Sequence, residues 1–368
     1  MKKIGIDARL YFQTGVGVYI RNLLFYLNKI NSKNTKFYVY LLEKDIVKIN
    51  LSRKFIKRPV TSKWHTFSEQ IVFLRNILKD DLDLMHFTYF SYPILYPKKF
   101  IATVHDTTLF HYKTGKASTK NFLFYEMKHA TFKYVFHKQI KDACFLIVPS
   151  DSVKSDIIKL FGNKYLQKIQ RIYEGVTYEF EKKTVSNKNN NRIFYSNFIL
   201  YVGNFYPHKN IERLIEAFSE IQTRYKLVLI GPVDFFSKRI EKIIKERKLK
   251  DKIILLNNIK FNELPIYYKK AEFFIHPSLS EGFGLPLIEA SYFGCPIVAS
   301  NINVFKEILG NNYISFNPYD IQDIRNKMEN TIKNRSLNRH ARILSKFSFK
   351  NMAAQPFRVY TKVLNLNV

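Results

Sequence analysis

Short apolar runs alternate with longer amphipathic stretches from one end of the chain to the other. Runs bounded by turn residues read as strands buried on both faces, and stretches with apolar positions three and four apart read as helices. KKIGIDAR is expected to form a strand, followed by a glycine-bearing loop and a helix from Val16 to Lys29. KFYVYLL, LDLMHF, KFIATVHD and CFLIVPS read as further strands, with helices over WHTFSEQIVFLRNIL and residues 118–142 between them. Ser150 is placed to cap a helix over DSVKSDIIKLF, which Gly162 closes. The alternation pauses over EKKTVSNKNNNR, residues 181–192, and then restarts. FILYVGN, KLVLIG, KIILLN, FFIHP and PIVAS are strands; helices run over NIERLIEAFSEI, residues 237–248, LPIYYKKA and LPLIEASYFG. The tail from Phe349 to Leu366 reads as a last helix.

Strands alternating with helices in both halves predict an α/β protein with two doubly wound parallel-sheet domains. The polar stretch places their boundary at a linker, giving residues 1–190, residues 191–348 and a helical tail over 349–368. Ligands of such sheets sit at the carboxyl ends of the strands, so two of them facing across a cleft would share a site there.

The 368 residues carry 60 Lys plus Arg against 30 Asp plus Glu, a formal charge of +30. That field attracts nucleic acid, anionic lipid or phosphorylated small molecules. A Lys-, Asn- and Ile-rich composition accounts for it equally well. Cys144 and Cys295 both lie in apolar runs and read as core residues of a protein from a reducing compartment. No run is long and apolar enough to cross a bilayer, and Asp7 comes too early for the apolar core of a secretion signal. The expected location is the cytoplasm, or the cytoplasmic face of a membrane.

Chemistry concentrates in HPSLSEGFGLPLIEASYFGCPIVAS, residues 276–300. A strand ends, a loop presents Glu281, Gly282 and Gly284, and a helix opens near Leu285 and Pro286. Glycines let a phosphate approach the backbone, and a helix N-terminus supplies unpaired N–H groups and partial positive charge. Glu289 lies eight residues past Glu281, inside the helix, so both carboxylates can face one pocket. Taken alone, the glycines read better as an ordinary turn beside two solvated glutamates. Gly15-Val16-Gly17 lacks the third glycine of a dinucleotide fingerprint. His111, His129 and His137 show no metal-ligand spacing.

This segment resembles the Glu-x7-Glu motif of retaining glycosyltransferases of family 4, within the wider pattern PSxxEGFGLPxxEAxxxGxPVVAS. FILYVGNFYPHKNIERLIEAF, residues 198–218, is similar to the opening of that family's nucleotide domain. LVLIGP, DARLYFQTGVGVYIRNLL, TVHDTTLF and SKFSFKNMAAQPFRVYTKVL extend the likeness over nearly the whole chain. The resemblance implies a GT-B fold, with Rossmann-like acceptor and nucleotide-sugar domains and a closing helix that returns to the first. It implies that Glu281 stabilises the oxocarbenium-like transition state, that Glu289 binds the ribose and that Lys209 clamps the diphosphate, the role a metal takes elsewhere. His105 would line the sugar site. Gly203, Asn204, His208, Gly282, Phe283, Gly284 and Leu285 would border the donor, and Gly15, Val16 and Gly17 would present the first helix to phosphate or acceptor. Two positions depart from the pattern: Asn204 and His208 stand where many relatives carry arginine, which leaves the phosphate clamp to Lys209, with His208 or Arg213 as helpers. Glu174 stands where relatives often have Asn. Asp81-Leu82-Asp83 spells the metal motif of a different transferase fold, but it only precedes a strand here.

The function expected from the resemblance is metal-independent transfer of a hexose, with retention, onto a glycan or polyprenyl-diphosphate-linked acceptor in surface polysaccharide synthesis. No cofactor is expected; GDP-mannose is the first choice of donor and a UDP-hexose the second. Two other readings stand beside it: a non-catalytic GT-B partner of another transferase, and a basic nucleic-acid-binding protein, for which no specific recognition motif is present. The stretch STKNFLFYEMKHATFKYVFHKQIK sets lysines among aromatics, which suits an anionic membrane surface or an ordinary amphipathic helix.

Overall fold

The computed structural model describes residues 1–30, 34–112, 122–182, 197–257, 259–334 and 347–365. The chain divides into two compact units. The first takes Met1–Thr107, Thr119–Glu174 and Ser348–Val368; the second takes Thr108–Ser118 and Gly175–Phe347. The division thus falls at Glu174/Gly175, ahead of the boundary at 190 expected from composition. Residues 183–192 of the expected linker lie outside the described residues.

Among the described residues the first unit holds seven parallel strands: β1 (Lys2–Asp7), β2 (Thr35–Leu42), β3 (Phe55–Val60), β4 (Leu84–Phe87), β5 (Phe100–Thr103), β6 (Phe145–Val148) and β7 (Ile169–Arg171). Their order is β3-β2-β1-β4-β5-β6-β7. The second unit holds β8 (Phe198–Val202), β9 (Lys226–Gly231), β10 (Ile253–Asn257), β11 (Phe273–His276), β12 (Ile297–Ser300) and β13 (Ile314–Phe316), in the order β10-β9-β8-β11-β12-β13. Both sheets reverse direction at the same place, between the first and fourth strands of the unit. Ile4 pairs with Leu84 across one reversal and Ile199 with Phe273 across the other. That switch point is where a doubly wound sheet opens a crevice at its carboxyl edge.

The strands form because their residues are buried on both faces: FIAT, FILYV and FFIH are buried throughout. The helix Ile211–Ser219 buries Ile211, Leu214, Ile215 and Phe218, one stripe at helical spacing, and joins the core with Tyr201, Leu229 and Ile275. Ser150 caps the helix Asp151–Phe161 through Val153 N–H at 3.2 Å, and Gly162 ends it with φ 98°. The last helix, Phe349–Val363, belongs to the first unit, where it packs on the helix Val16–Leu27 and Tyr360 Oη meets His86 Nδ1 at 2.7 Å.

Three expectations need correction. The helix expected over residues 64–78 starts at Phe67, and Glu69–Phe73 within it is a wide π turn. At that turn the buried Glu69 carboxylate accepts from Arg9 Nη2 at 2.6 Å, from Ser91 Oγ at 2.7 Å and from the His65 N–H at 3.2 Å. Those bonds tie the helix to the first strand's end and to the segment ahead of it, where His65 has φ 56°. Cys144 is exposed, not a core residue, because it precedes β6 and turns its thiol to the Phe100 carbonyl at 3.0 Å; Cys295 is buried. β3, β7 and β13 were not anticipated. Asp81 and Asp83 are structural: Asp81 pairs with Lys98, and Asp83 accepts the Lys3 N–H at 2.8 Å.

Candidate active site

In the second unit the loops leaving β8 and β11 lie side by side, because those strands are neighbours. The β8 loop runs from Gly203 through a short turn, Pro207–Lys209, to the helix Ile211–Ser219. Its backbone closes on itself through Lys209 N–H to the Tyr206 carbonyl at 2.8 Å. Leu279 N–H donates to the His208 carbonyl at 2.8 Å, which ties it to the β11 loop. Gly231, at the end of β9, is required by close approach: a Cβ there would lie 2.4 Å from the Gly203 carbonyl oxygen and from the Phe205 ring.

Lys209 and Glu281, 72 positions apart in sequence, meet here with Nζ to Oε1 at 2.5 Å. The same oxygen accepts from Ser278 Oγ at 2.8 Å and from His276 Nε2 at 2.9 Å. Burial alone would raise the Glu281 carboxyl, but Lys209 and His276 outweigh it and hold the group well below the usual carboxylate range. Burial lowers His276, which stacks on Tyr201 with ring centroids 5.7 Å apart. A neutral His276 donates to Glu281 through Nε2–H and leaves Nδ1, which has no hydrogen-bond partner, as an acceptor. The arrangement fixes an ionised carboxylate whose Oε1 is saturated by three donors, one of them the Lys209 ammonium.

Gly284, with φ 95°, precedes the helix Leu285–Tyr292, which begins with Leu285 and Pro286. Gly282 and Phe283 are buried, and Phe283 packs edge-on against Phe347. Glu289, inside this helix, is 6% exposed and is linked to Tyr268, whose hydroxyl donates to Oε2 at 2.8 Å. Burial pushes this carboxyl up to about 7, against the Tyr268 bond and with a further push from Glu179. The two glutamates of the motif therefore sit in opposite electrostatic settings.

His105, Gly15, Val16 and Gly17 belong to the first unit. Gly15 precedes the helix Val16–Leu27, and a Cβ on Gly17 would lie 2.7 Å from the Tyr11 carbonyl oxygen. His105 Nε2 donates to the Thr88 carbonyl at 2.9 Å, and Nδ1 meets the buried Glu174 carboxylate at 3.1 Å, so both ring nitrogens are engaged inside the unit. Reasoning from sequence missed His276, Ser278 and Tyr268. The first two stand in the HPS that opens the glutamate loop, where their position was visible and their convergence on Glu281 was not.

Solved structures superpose on the whole chain. A sucrose-phosphate synthase from Thermosynechococcus elongatus covers 99% of it with a TM-score of 0.77 at 17% identity, and is itself covered to 100%. Anabaena HepE, solved in complex with UDP-glucose, covers 98% with a TM-score of 0.74 at 14% identity, and is also covered to 100%. Two Rossmann-like units of these strand orders define the GT-B class of glycosyltransferases. Among curated relatives, the O-antigen chain mannosyltransferase RfbU of Salmonella typhimurium is 28% identical over 305 residues, 82% of this chain and 80% of that protein. The serotype-specific mannosyltransferase WbdA of Escherichia coli is 36% identical over 180 residues, 45% of this chain and only 22% of that longer protein. Residues 182–346 match the family model Glycosyl transferases group 1. The chain is a glycosyltransferase carrying that domain.

Proposed function

We propose that the protein transfers a hexose, mannose by preference, from a nucleotide-sugar to a glycan or polyprenyl-diphosphate-linked acceptor in the assembly of a surface polysaccharide, with retention and without a metal. The observation that carries this reading is the convergence of Lys209, His276 and Ser278 on one oxygen of Glu281. An ammonium beside the phosphate-binding loop neutralises charge developing on a departing diphosphate. When a donor occupies the site, Lys209 turns to its phosphates, while His276 and Ser278 keep Glu281 oriented and ionised toward the sugar. Glu289 accepts from the ribose hydroxyls. The mannosyltransferase relatives and the UDP-glucose complex of HepE support the substrate class, and mannose takes precedence because the sequence relatives are nearer than the structural ones.

The test is nucleotide release from GDP-mannose and UDP-hexoses with a lipid-linked acceptor. Lys209→Ala and Glu281→Gln are each expected to lower kcat by about 10² to 10³, the loss typical of one electrostatic contact to the transition state. Thermal melting should show both variants folded, EDTA should leave wild-type turnover unchanged, and the product should keep the donor's anomeric configuration. Near-normal turnover by either variant would remove the assignment.

Membrane association favours one further statement. On the helix Phe122–Asp142, Met127 and Tyr134 are 61% and 59% exposed two turns apart, flanked by the exposed Lys128 and Lys133. This face suits a peripheral position on anionic lipid. Lys120 and the side chains of Phe122, Phe124 and Tyr125 lie outside the described residues. No helix among the described residues is long and apolar enough to cross a membrane.

A further inference from the structure

Among the described residues of the second unit, the large apolar side chains left well exposed are Tyr206, Val233, Phe235 and Tyr319, at 38% to 60%. They gather at one groove of about 740 Å³ between the helices Ile211–Ser219 and Phe235–Glu246. Tyr206 lines it. Phe235 meets Phe236 edge-on at 5.4 Å, Phe236 meets Tyr206 edge-on at 4.9 Å, and Val233 stands two residues before Phe235. The Tyr319 ring faces the guanidinium of Arg213, another lining residue, at 6.0 Å. Exposed apolar side chains collected beside a concavity of ligand size, ~300–1,000 Å³, mark a binding surface.

Charge narrows the ligand. Across the groove Arg239 pairs with Glu212 at 2.8 Å and Arg247 with Glu216 at 3.5 Å. Along one wall Lys242 pairs with Glu246 at 3.6 Å, and Arg213 donates to Asn210 Oδ1 at 2.9 Å. The lining is therefore close to neutral, in a chain with 60 Lys plus Arg against 30 Asp plus Glu. Exposed pairs of this kind add little to stability. They do cancel the field that draws nucleic acid or anionic lipid, and they leave carboxylate acceptors and guanidinium donors fixed along the walls. A protein partner fits less well, because the core of such an interface is depleted of charge. A neutral, polyhydroxylated ligand matches both features. Its hydroxyls bond to the charged groups, and the C–H faces of sugar rings pack on the electron-rich faces of aromatic rings. Pro207 and Asn210, on either side of Lys209 in the β8 loop, also line the groove, so it shares the loop that carries the site's cation.

We propose that this groove binds a neutral stretch of glycan, the part of the acceptor already assembled and distant from its reactive end. The proposal rests on the reading of a glycan acceptor above and adds a second place where that acceptor is held. Tyr206 and Phe235 supply the stacking faces, and the Glu212 and Glu216 carboxylates accept from the hydroxyls.

Titration calorimetry of the full chain with mannotetraose, a neutral probe, tests this. Tyr206→Ala is expected to weaken binding about 3- to 10-fold, the worth of an aromatic face, and Tyr206→Phe, which keeps the ring, to stay within about twofold of wild type. Glu212→Ala with Glu216→Ala should weaken it about 10-fold or more, because hydroxyl bonds to charged acceptors are lost. Thermal melting should show each variant folded, since the changed side chains are at least partly exposed. Transfer gives a second readout. Phe235→Ala should raise KM about 3- to 10-fold for a lipid-linked acceptor bearing several mannoses, and leave kcat and the constants for an acceptor bearing one sugar as in wild type. Mannotetraose that fails to bind wild type, or binds every variant equally, would overturn the groove, as would a long-acceptor KM that Phe235→Ala leaves unmoved. Tighter binding of a heparin hexasaccharide, lost in Phe235→Ala, would give the groove to an anion instead. A dimer in sedimentation that Phe235→Ala dissociates would give it to a second copy of the chain. If mannotetraose binds in the groove while no sugar donor is turned over, the transfer reading falls and the glycan site stands.

Discussion

Raising the pH from about 5.5 to 7.5 is expected to tighten nucleoside binding about 20-fold, through Glu289. Its carboxyl is 6% exposed, accepts one hydrogen bond from Tyr268, and is pushed by burial up to about 7. Below that pH the folded protein holds a carboxylic acid. Ribose hydroxyls bond more strongly to the carboxylate, so binding must expel a proton and weakens as the ionised fraction falls. Calorimetry with guanosine or uridine in two buffers of different ionisation enthalpy counts that proton; nucleosides lack the phosphates whose titration overlaps. About one proton should leave near pH 5.5 and none above about pH 8. Glu289→Gln should abolish the dependence and bind weakly throughout. The same shift acts on stability with the opposite sign to a salt-bridged acid. The folded state keeps a proton that the unfolded chain releases, so stability falls as pH climbs from 4.5 to about 7 and is level above. A shift of that size is worth about 3 kcal/mol, so Glu289→Gln should melt higher than wild type at pH 8, and the gain should vanish near pH 4.5. Nucleoside binding that is flat with pH in wild type, or equally steep in Glu289→Gln, would refute the reasoning.

Two other outcomes follow from particular contacts. Gly231→Ala forces a methyl against the Gly203 carbonyl and the Phe205 ring, both 2.4 Å from its Cβ, and should cost about 1–3 kcal/mol in thermal melting while weakening nucleoside diphosphates through the displaced β8 loop; a melting temperature equal to wild type would show that the strands can part there. Flotation with anionic vesicles should recover the protein at low salt and lose it at high salt, and Lys128→Ala with Lys133→Ala should weaken recovery by about 2 kcal/mol, roughly 1 for each lysine; absence of binding at low salt would reject the exposed face of helix Phe122–Asp142 as a membrane surface.

Much of the architecture was legible from the chain alone. Strands buried on both faces, such as FILYV and FFIH, announce themselves as continuous apolar runs, and the glycine loop before Leu285 marks the carboxyl end of one of them. Short edge strands such as Ile169–Arg171 and Ile314–Phe316 carry too few apolar residues to stand out, and the π turn at Glu69 lies where its carboxylate meets Arg9 and Ser91, which are distant in sequence. Spacing singled out Glu281 and Glu289, and the family resemblance added Lys209, but neither gave a sign that the two glutamates differ in charge.

Local pattern decided the elements because backbone hydrogen bonding and the burial of one face or both are set by neighbouring residues. Tertiary structure alone decided the chemistry. The parallel pairing of β8 with β11 carries Lys209 to Glu281, adds His276 and Ser278 to the same oxygen, and leaves Glu289 to Tyr268 in an apolar wall. A carboxyl group's charge is a property of what surrounds it, and in this protein the surroundings come from strands far apart in sequence.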